Sequence, residues 1–227
     1  MDSVALLEDE PSLGAALEPR ERRRAERAVR APALRLESGR WQPPEREAAA
    51  IGYLLWDGML LRRVLIEGGS SVELLGPGDC LLPWQEEDTS FARAEWEVLE
   101  SSHLAVVDFR QGSALSRWPM IAAAILERSI SRSRALAVQA AVMSMVGTEE
   151  RLQTLLWSLA ERWGRAAPGG IELEVGVPQT VLAEMVGARR QTVNTALGEL
   201  RRRGALAIPE PGRWLLLDEP PAPVSDP

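Results

Sequence analysis

The sequence predicts an α+β protein in three consecutive parts: a small β-barrel or sandwich, a long helix, and a C-terminal helix pair with a two-stranded wing. Three observations carry this. Between about Pro32 and Asp108, short apolar runs alternate with glycine and proline turns. After Trp118-Pro119 those signals stop and a long helical pattern begins. Finally, residues 182–197 read LAEMVGARRQTVNTAL, with a small residue, a glycine and a branched apolar residue spaced for two helices meeting at a tight corner.

Composition bounds the classes. The chain has 227 residues, 45% of them hydrophobic and 26% charged, which fits a folded globular protein of one large or two modest domains. The longest uncharged run, Ala135 to Thr148, is too short to span a bilayer. The acidic start MDSVALLEDE lacks the layout of a signal peptide, so the expectation is a soluble cytoplasmic protein with no membrane partner. One cysteine and one histidine leave no metal cluster and no disulfide, and no motif calls for a cofactor. All 26 basic residues are arginine, a pattern expected of a GC-rich coding sequence. The net charge of −7 is unevenly spread: Ile51 to Arg110 carries eleven acids against four arginines, and Gly176 to Leu217 three acids against six. A locally basic C-terminal unit inside an acidic molecule is the charge layout of a two-part nucleic-acid binder.

Along the chain, residues 1–31 read as helical, with Ala25, Ala28 and Val29 on one side of EPRERRRAERAVR. Its interleaved glutamates favour a solvated face over a nucleic-acid arm. ALRLESGRW, AIGYLLWDG, MLLRRVLIEGG, SSVELLGPGD, ARAEWEVLESS and HLAVVDF follow as strands, with turns at Trp56-Asp57-Gly58, Glu67-Gly68-Gly69 and Gly76-Pro77-Gly78-Asp79. Pro119 suits the first turn of the long helix. On that helix Ala122, Leu126, Ser129, Ser133, Leu136, Ala140 and Met143 fall on one stripe, which suits either a dimer seam or packing on the chain's own barrel. Thr148 is the expected N-cap of the next helix, whose buried face is Leu152, Leu155, Leu156 and Leu159. RAAPGGIELEVGVPQ reads as a loop and one short strand.

Steric causes then explain the opening motif. A helix from Gln179 to Val186 would end at Gly187 in the left-handed conformation, with Ala183 small enough for a close second helix. Val193 and Leu197 would turn back toward Leu182 and Val186. The open side would carry Arg189, Arg190, Gln191, Asn194 and Thr195, with Gln179 and Thr180 at the start of the first helix. Arginine donates twice to guanine and glutamine or asparagine pairs twice with adenine, so this face suits a major groove. RRRGALA ends the second helix near Gly204, and ALAI and RWLLLD form a wing on which Arg213, with Arg201 to Arg203, can reach phosphates.

These residues give the chain a resemblance to the Crp/Fnr family of bacterial transcription regulators. ERLQTLLWSLAERWG resembles the family's helix leading into its DNA-binding domain, and LAEMVGARRQTVNTALGELRRRG resembles its helix-turn-helix. GYLLWDG and ELLGPGD are similar to the β-roll of its sensor, which resembles a cyclic-nucleotide-binding domain, and RWPMIAAAIL to the start of its dimerisation helix. The resemblance implies a β-roll over 1–112, a dimerisation helix over 113–146, a winged helix-turn-helix over 147–219 and a tail over 220–227. It also implies a homodimer on a pseudo-palindromic site in double-stranded DNA, with RNA polymerase as a further partner. Where the family has Arg-Glu-Thr-Val, this chain has Arg190-Gln191-Thr192-Val193, so Arg190 would contact guanine and Gln191 would alter the base preference.

The sensor departs from its family. Members that bind cyclic AMP have Phe-Gly-Glu after the Gly-Asp turn and then an arginine for the phosphate. This chain has Cys80-Leu81-Leu82-Pro83-Trp84 and then Glu86-Glu87-Asp88, before Arg93. Carboxylates there repel a phosphate, so the roll is expected to be a scaffold without cyclic-nucleotide binding. For haem, His103 and Cys80 are the available ligands, with a structural histidine and a buried inert thiol as the expected roles. Trp56, Trp84, Trp96 and Trp118 are expected to fill core. The alternative function is a ligand-binding or protein-interaction module whose winged domain contacts a protein. An enzyme ranks last, because the chain has no nucleophile–base pair, metal cluster or phosphate loop.

Overall fold

The structure, a computed structural model, describes residues 3–45, 50–84, 91–108, 116–210 and 212–221. The acidic stretch Glu86-Glu87-Asp88 lies outside them. The chain divides into two compact units, Met1–Arg134 and Ala135–Pro227.

The first unit opens with strand β1 (Ser3–Ala5), a one-turn helix α1 (Leu6–Asp9), a 3-10 turn (Pro11–Gly14) and helix α2 (Pro19–Ala28). Residues 1–31 are therefore not one helix. Pro11 and Gly14 break the pattern, and Leu6, Leu7 and Leu13 are buried from separate short elements. Ala25 and Val29 are buried as the spacing requires, but Ala28 is exposed because the helix ends there.

Strands β2 (Arg30–Leu36), β3 (Gly39–Trp41), β4 (Ala50–Ile66), β5 (Gly69–Leu75), β6 (Cys80–Leu81) and β7 (Ala92–Asp108) complete an antiparallel sheet with path β1-β2-β7-β4-β5. Two expectations fail here. AIGYLLWDG and MLLRRVLI fall in one seventeen-residue strand, and ARAEWEVLESS and HLAVVD in another. The expected turn at Trp56-Asp57-Gly58 is a series of register shifts between Leu55 and Leu60 where β4 pairs with β7. Gly58 has φ +87°, and a Cβ there would lie 2.3 Å from Ser102 Oγ, so glycine signals a bulge rather than a hairpin. Before the bulge β4 pairs with β6, and after it with β5. The turns at Glu67-Gly68 and Gly76–Asp79 form as expected.

Alternation in β4 then supplies two cores. Leu54 joins Leu6, Leu13, Val29, Cys80 and Trp118, while Tyr53 and Leu55 join Trp41, Trp84, Trp96 and Leu104. Burying each such leucine is worth about 1.5–3 kcal/mol. Trp84, Trp96 and Trp118 fill core, as composition suggested, whereas the half-buried Trp56 stacks on His103.

Helix α3 (Pro119–Ser144) begins at Pro119 and crosses the division between the units. Its first half is tied to the roll by two arginines. Arg128 donates to Gly78 O at 3.0 Å and to Glu10 Oε1 at 3.1 Å. Arg132 makes a two-pronged contact with Glu73, at 2.6 and 2.7 Å, and donates to Cys80 O at 3.2 Å.

In the second unit, α4 (Thr148–Trp163) buries Leu152, Leu155, Leu156 and Leu159. Thr148 is its first helical residue, not the N-cap; Gly147 at φ +93° occupies that position and no side chain caps the end. RAAPGGIELEVGVPQ holds two strands, β8 (Arg165–Ala167) and β9 (Gly170–Glu174), where one was expected. They join the wing strands in a four-stranded sheet, because the alternate residues Leu173 and Val175 need a covered face.

Candidate nucleic-acid interface

Helices α5 (Gln179–Met185) and α6 (Arg190–Arg202) form the corner that the motif foretold. Gly187 has φ +60°, its N–H donates to Glu184 O at 3.2 Å, and the N–H of Ala188 donates to Ala183 O at 2.9 Å. This double bond satisfies carbonyls that the helix end would otherwise orphan. A Cβ on Gly187 would lie 2.7 Å from Met143 Cε. From α4, Arg151 Nη1 donates to Val186 O at 2.7 Å, a cap that sequence spacing did not reveal. Leu182, Ala183, Val186, Val193 and Leu197 are all buried.

With its inner face filled, α6 has one orientation available. Arg189, Arg190, Gln191, Asn194 and Thr195 are exposed along its other side, as are Gln179 and Thr180 at the start of α5. Thr195 Oγ1 donates to Gln191 O at 3.1 Å, so its hydroxyl proton is engaged within the helix. A second glycine, Gly204 at φ +76°, ends α6 with the same paired bonds, from Gly204 to Arg201 O and from Ala205 to Leu200 O.

The wing follows as β10 (Leu206–Glu210) and β11 (Arg213–Leu216), paired antiparallel. The cations of the wing and of the C-terminal end of α6 are mostly paired. Arg213 donates to Glu172 on β9, and this bond together with the charges of Glu172, Glu210 and Glu174 raises its pKa further. Arg202 is held by Glu199 and Arg203 by Glu149 and Gln153. Among the described residues, Arg189, Arg190 and Arg201 have neither a carboxylate partner nor a hydrogen-bonded acceptor.

Of the sensor candidates, Cys80 is buried and His103 lies beside a carboxylate. Burial pushes the Cys80 thiol up to about 11, and Ile125 O is its acceptor at 3.9 Å. His103 Nδ1 lies 3.1 Å from Asp57 Oδ2. No group of three metal-ligating side chains exists among the described residues, and no helix described is long and apolar enough to cross a membrane.

A helix-turn-helix with a wing and an uncovered polar face is the architecture of a DNA-binding domain. Residues 150–220 match the Crp-like helix-turn-helix domain. Over those residues the chain is a helix-turn-helix domain of the Crp-like kind. Its fold is shared with a cyclic nucleotide-binding domain containing protein from Listeria monocytogenes EGD-e, at TM-score 0.67 and 17% identity over 91% of this chain and 96% of that one. FixK2 from Bradyrhizobium japonicum aligns at TM-score 0.61 and 17% identity, covering 85% and 99%. A CRP-family transcriptional regulator from Thermus thermophilus aligns at 0.57 and 22%, covering 82% and 92%. Comparison with curated protein sequences gives no match.

Proposed function

We propose that the protein reads a pseudo-palindromic DNA site as a homodimer, without cyclic AMP, in the bacterial cytoplasm. The observation that carries this is the state of α6: one face wholly buried, the other an exposed run of Arg189, Arg190, Gln191, Asn194 and Thr195. Arg190 reads guanine, Gln191 and Asn194 read neighbouring bases, and Gln179, Thr180 and Arg213 contact the backbone.

Support for a dimer comes from α3. Ala122, Leu126, Ser133, Leu136, Ala140 and Met143 are exposed along its stripe, Leu126 to 61% and Met143 to 42%. Such a seam invites a second copy, and a two-fold dimer sets its recognition helices about 34 Å apart. Support for independence from cyclic AMP comes from the roll. The Gly-Pro-Gly-Asp turn is already engaged internally, with Asp79 Oδ2 accepting from Gly76 N at 2.8 Å and Gly78 O accepting from Arg128.

The test is selection of sheared genomic DNA by purified, ligand-free protein, followed by sequencing of the bound fragments. Enrichment of a two-fold symmetric motif is expected. Enrichment only after cyclic AMP is added would overturn the ligand-free reading, and no enrichment at low salt under either condition would point to a protein partner for the winged domain.

A further inference from the structure

Gly198 lies in the middle of α6, two turns beyond Gln191 on the same exposed side. Glycine is the poorest helix former after proline, and the usual reasons for keeping one are missing. Its φ is ordinary, and a Cβ built there meets nothing within 4 Å. Nothing inside the chain therefore requires a bare backbone at this position. It borders an open groove of about 580 Å³ between α6 and β10, whose walls include Arg201, Arg202, Ile208, Pro209 and Leu217. One wall thus offers Arg201, without a carboxylate partner among the described residues, beside Arg202 held by Glu199, and the other offers aliphatic side chains.

We propose that this groove seats one sugar–phosphate strand of the bound DNA, and that Gly198 is the point where that strand approaches the helix axis most closely. The chemistry of the walls fits such a strand: a guanidinium for phosphate and apolar side chains for the deoxyribose. A helix with its side chains is about 10–12 Å across and a major groove about 12 Å wide. Removing one side chain where helix meets groove rim lets the two backbones close by that side chain's thickness. Gly198 is then a positioning residue, fixing how deep Arg190 and Gln191 sit against the base edges. This rests on the DNA-reading role proposed above.

The test compares wild type, Gly198→Ala and Gly198→Leu on a fragment selected by the wild type, by fluorescence anisotropy over a salt series and by thermal melting. Both variants should melt at or above wild type, since each is a better helix former. Affinity should nonetheless fall by about fivefold for Gly198→Ala and about a hundredfold for Gly198→Leu. Arg201→Ala should reduce the salt slope by about 0.9 per protomer in the wild type and by nothing further in Gly198→Leu. Wild-type affinity in both glycine variants, or an undiminished Arg201 effect in Gly198→Leu, would overturn the proposal. Failure of the wild type to bind any fragment would instead remove the DNA-reading role beneath it, and the proposal with it.

Discussion

Arg132 on α3 and Arg190 on α6 sit on exposed-looking stretches of sequence, and the molecule uses them in opposite ways. The Arg132 side chain is 12% exposed and gripped by Glu73, itself 8% exposed, across a separation of 59 residues. Arg190 is exposed and faces no carboxylate among the described residues. Arg128 repeats the first pattern and Arg189 the second. Arg128 and Arg132 are consumed in the structure of the first unit, while Arg189 and Arg190 stand open to a partner. A cation already paired has less to gain from an anion brought from outside, so Arg189 and Arg190 are better placed than Arg128 and Arg132 to meet one.

Removing the buried member of this comparison should have the largest effect. Arg132→Ala leaves Glu73 facing Arg62, 3.3 Å away, and should lower unfolding stability by about 3 kcal/mol in urea titrations followed by tryptophan fluorescence. A loss under about 0.5 kcal/mol would mean the cluster adds nothing. Leu126→Glu with Leu136→Glu, which puts charges on the exposed stripe of α3, should convert dimers to monomers by light scattering; unchanged mass would move the seam elsewhere. Arg190→Ala should cost about 1–3 kcal/mol on the selected site and little on random DNA.

Two smaller effects sharpen the contrast. The folded Cys80 thiol titrates near 11 against a usual 9, so it binds its proton more tightly in the native state. Its contribution is fully present below about 9 and is lost as pH rises toward 11, so stability should decline across that window in wild type and not in Cys80→Ala. Arg213→Ala should weaken binding on all sequences alike and lower the salt slope by less than about 0.9, because Glu172 competes with phosphate for the guanidinium.

The corner between α5 and α6 was legible because its causes are local: Ala183, Gly187 and Val193 each answer a steric demand within a few residues. The exposed face of α6 followed from the same spacing. The roll was legible in kind but not in count, since Gly58 marks a bulge and a turn with the same letter. The N-terminal segment was misread because its helix-forming composition hides Pro11, which divides it. Pairing across distance was out of reach: nothing near Arg132 points to Glu73, which depends on how α3 packs on the roll, nor near Arg213 to Glu172, which depends on sheet register. Gly198 was visible in the sequence, but its open surroundings were not.

The central claim is that the unpaired guanidiniums of α6 read sequence. Anisotropy titrations of wild type and Arg190→Ala, on the selected fragment and on random DNA at several salt concentrations, test it most directly. The account predicts tight, salt-dependent wild-type binding, with the Arg190→Ala loss confined to the selected fragment. An equal loss on both DNAs, or none on either, would contradict it.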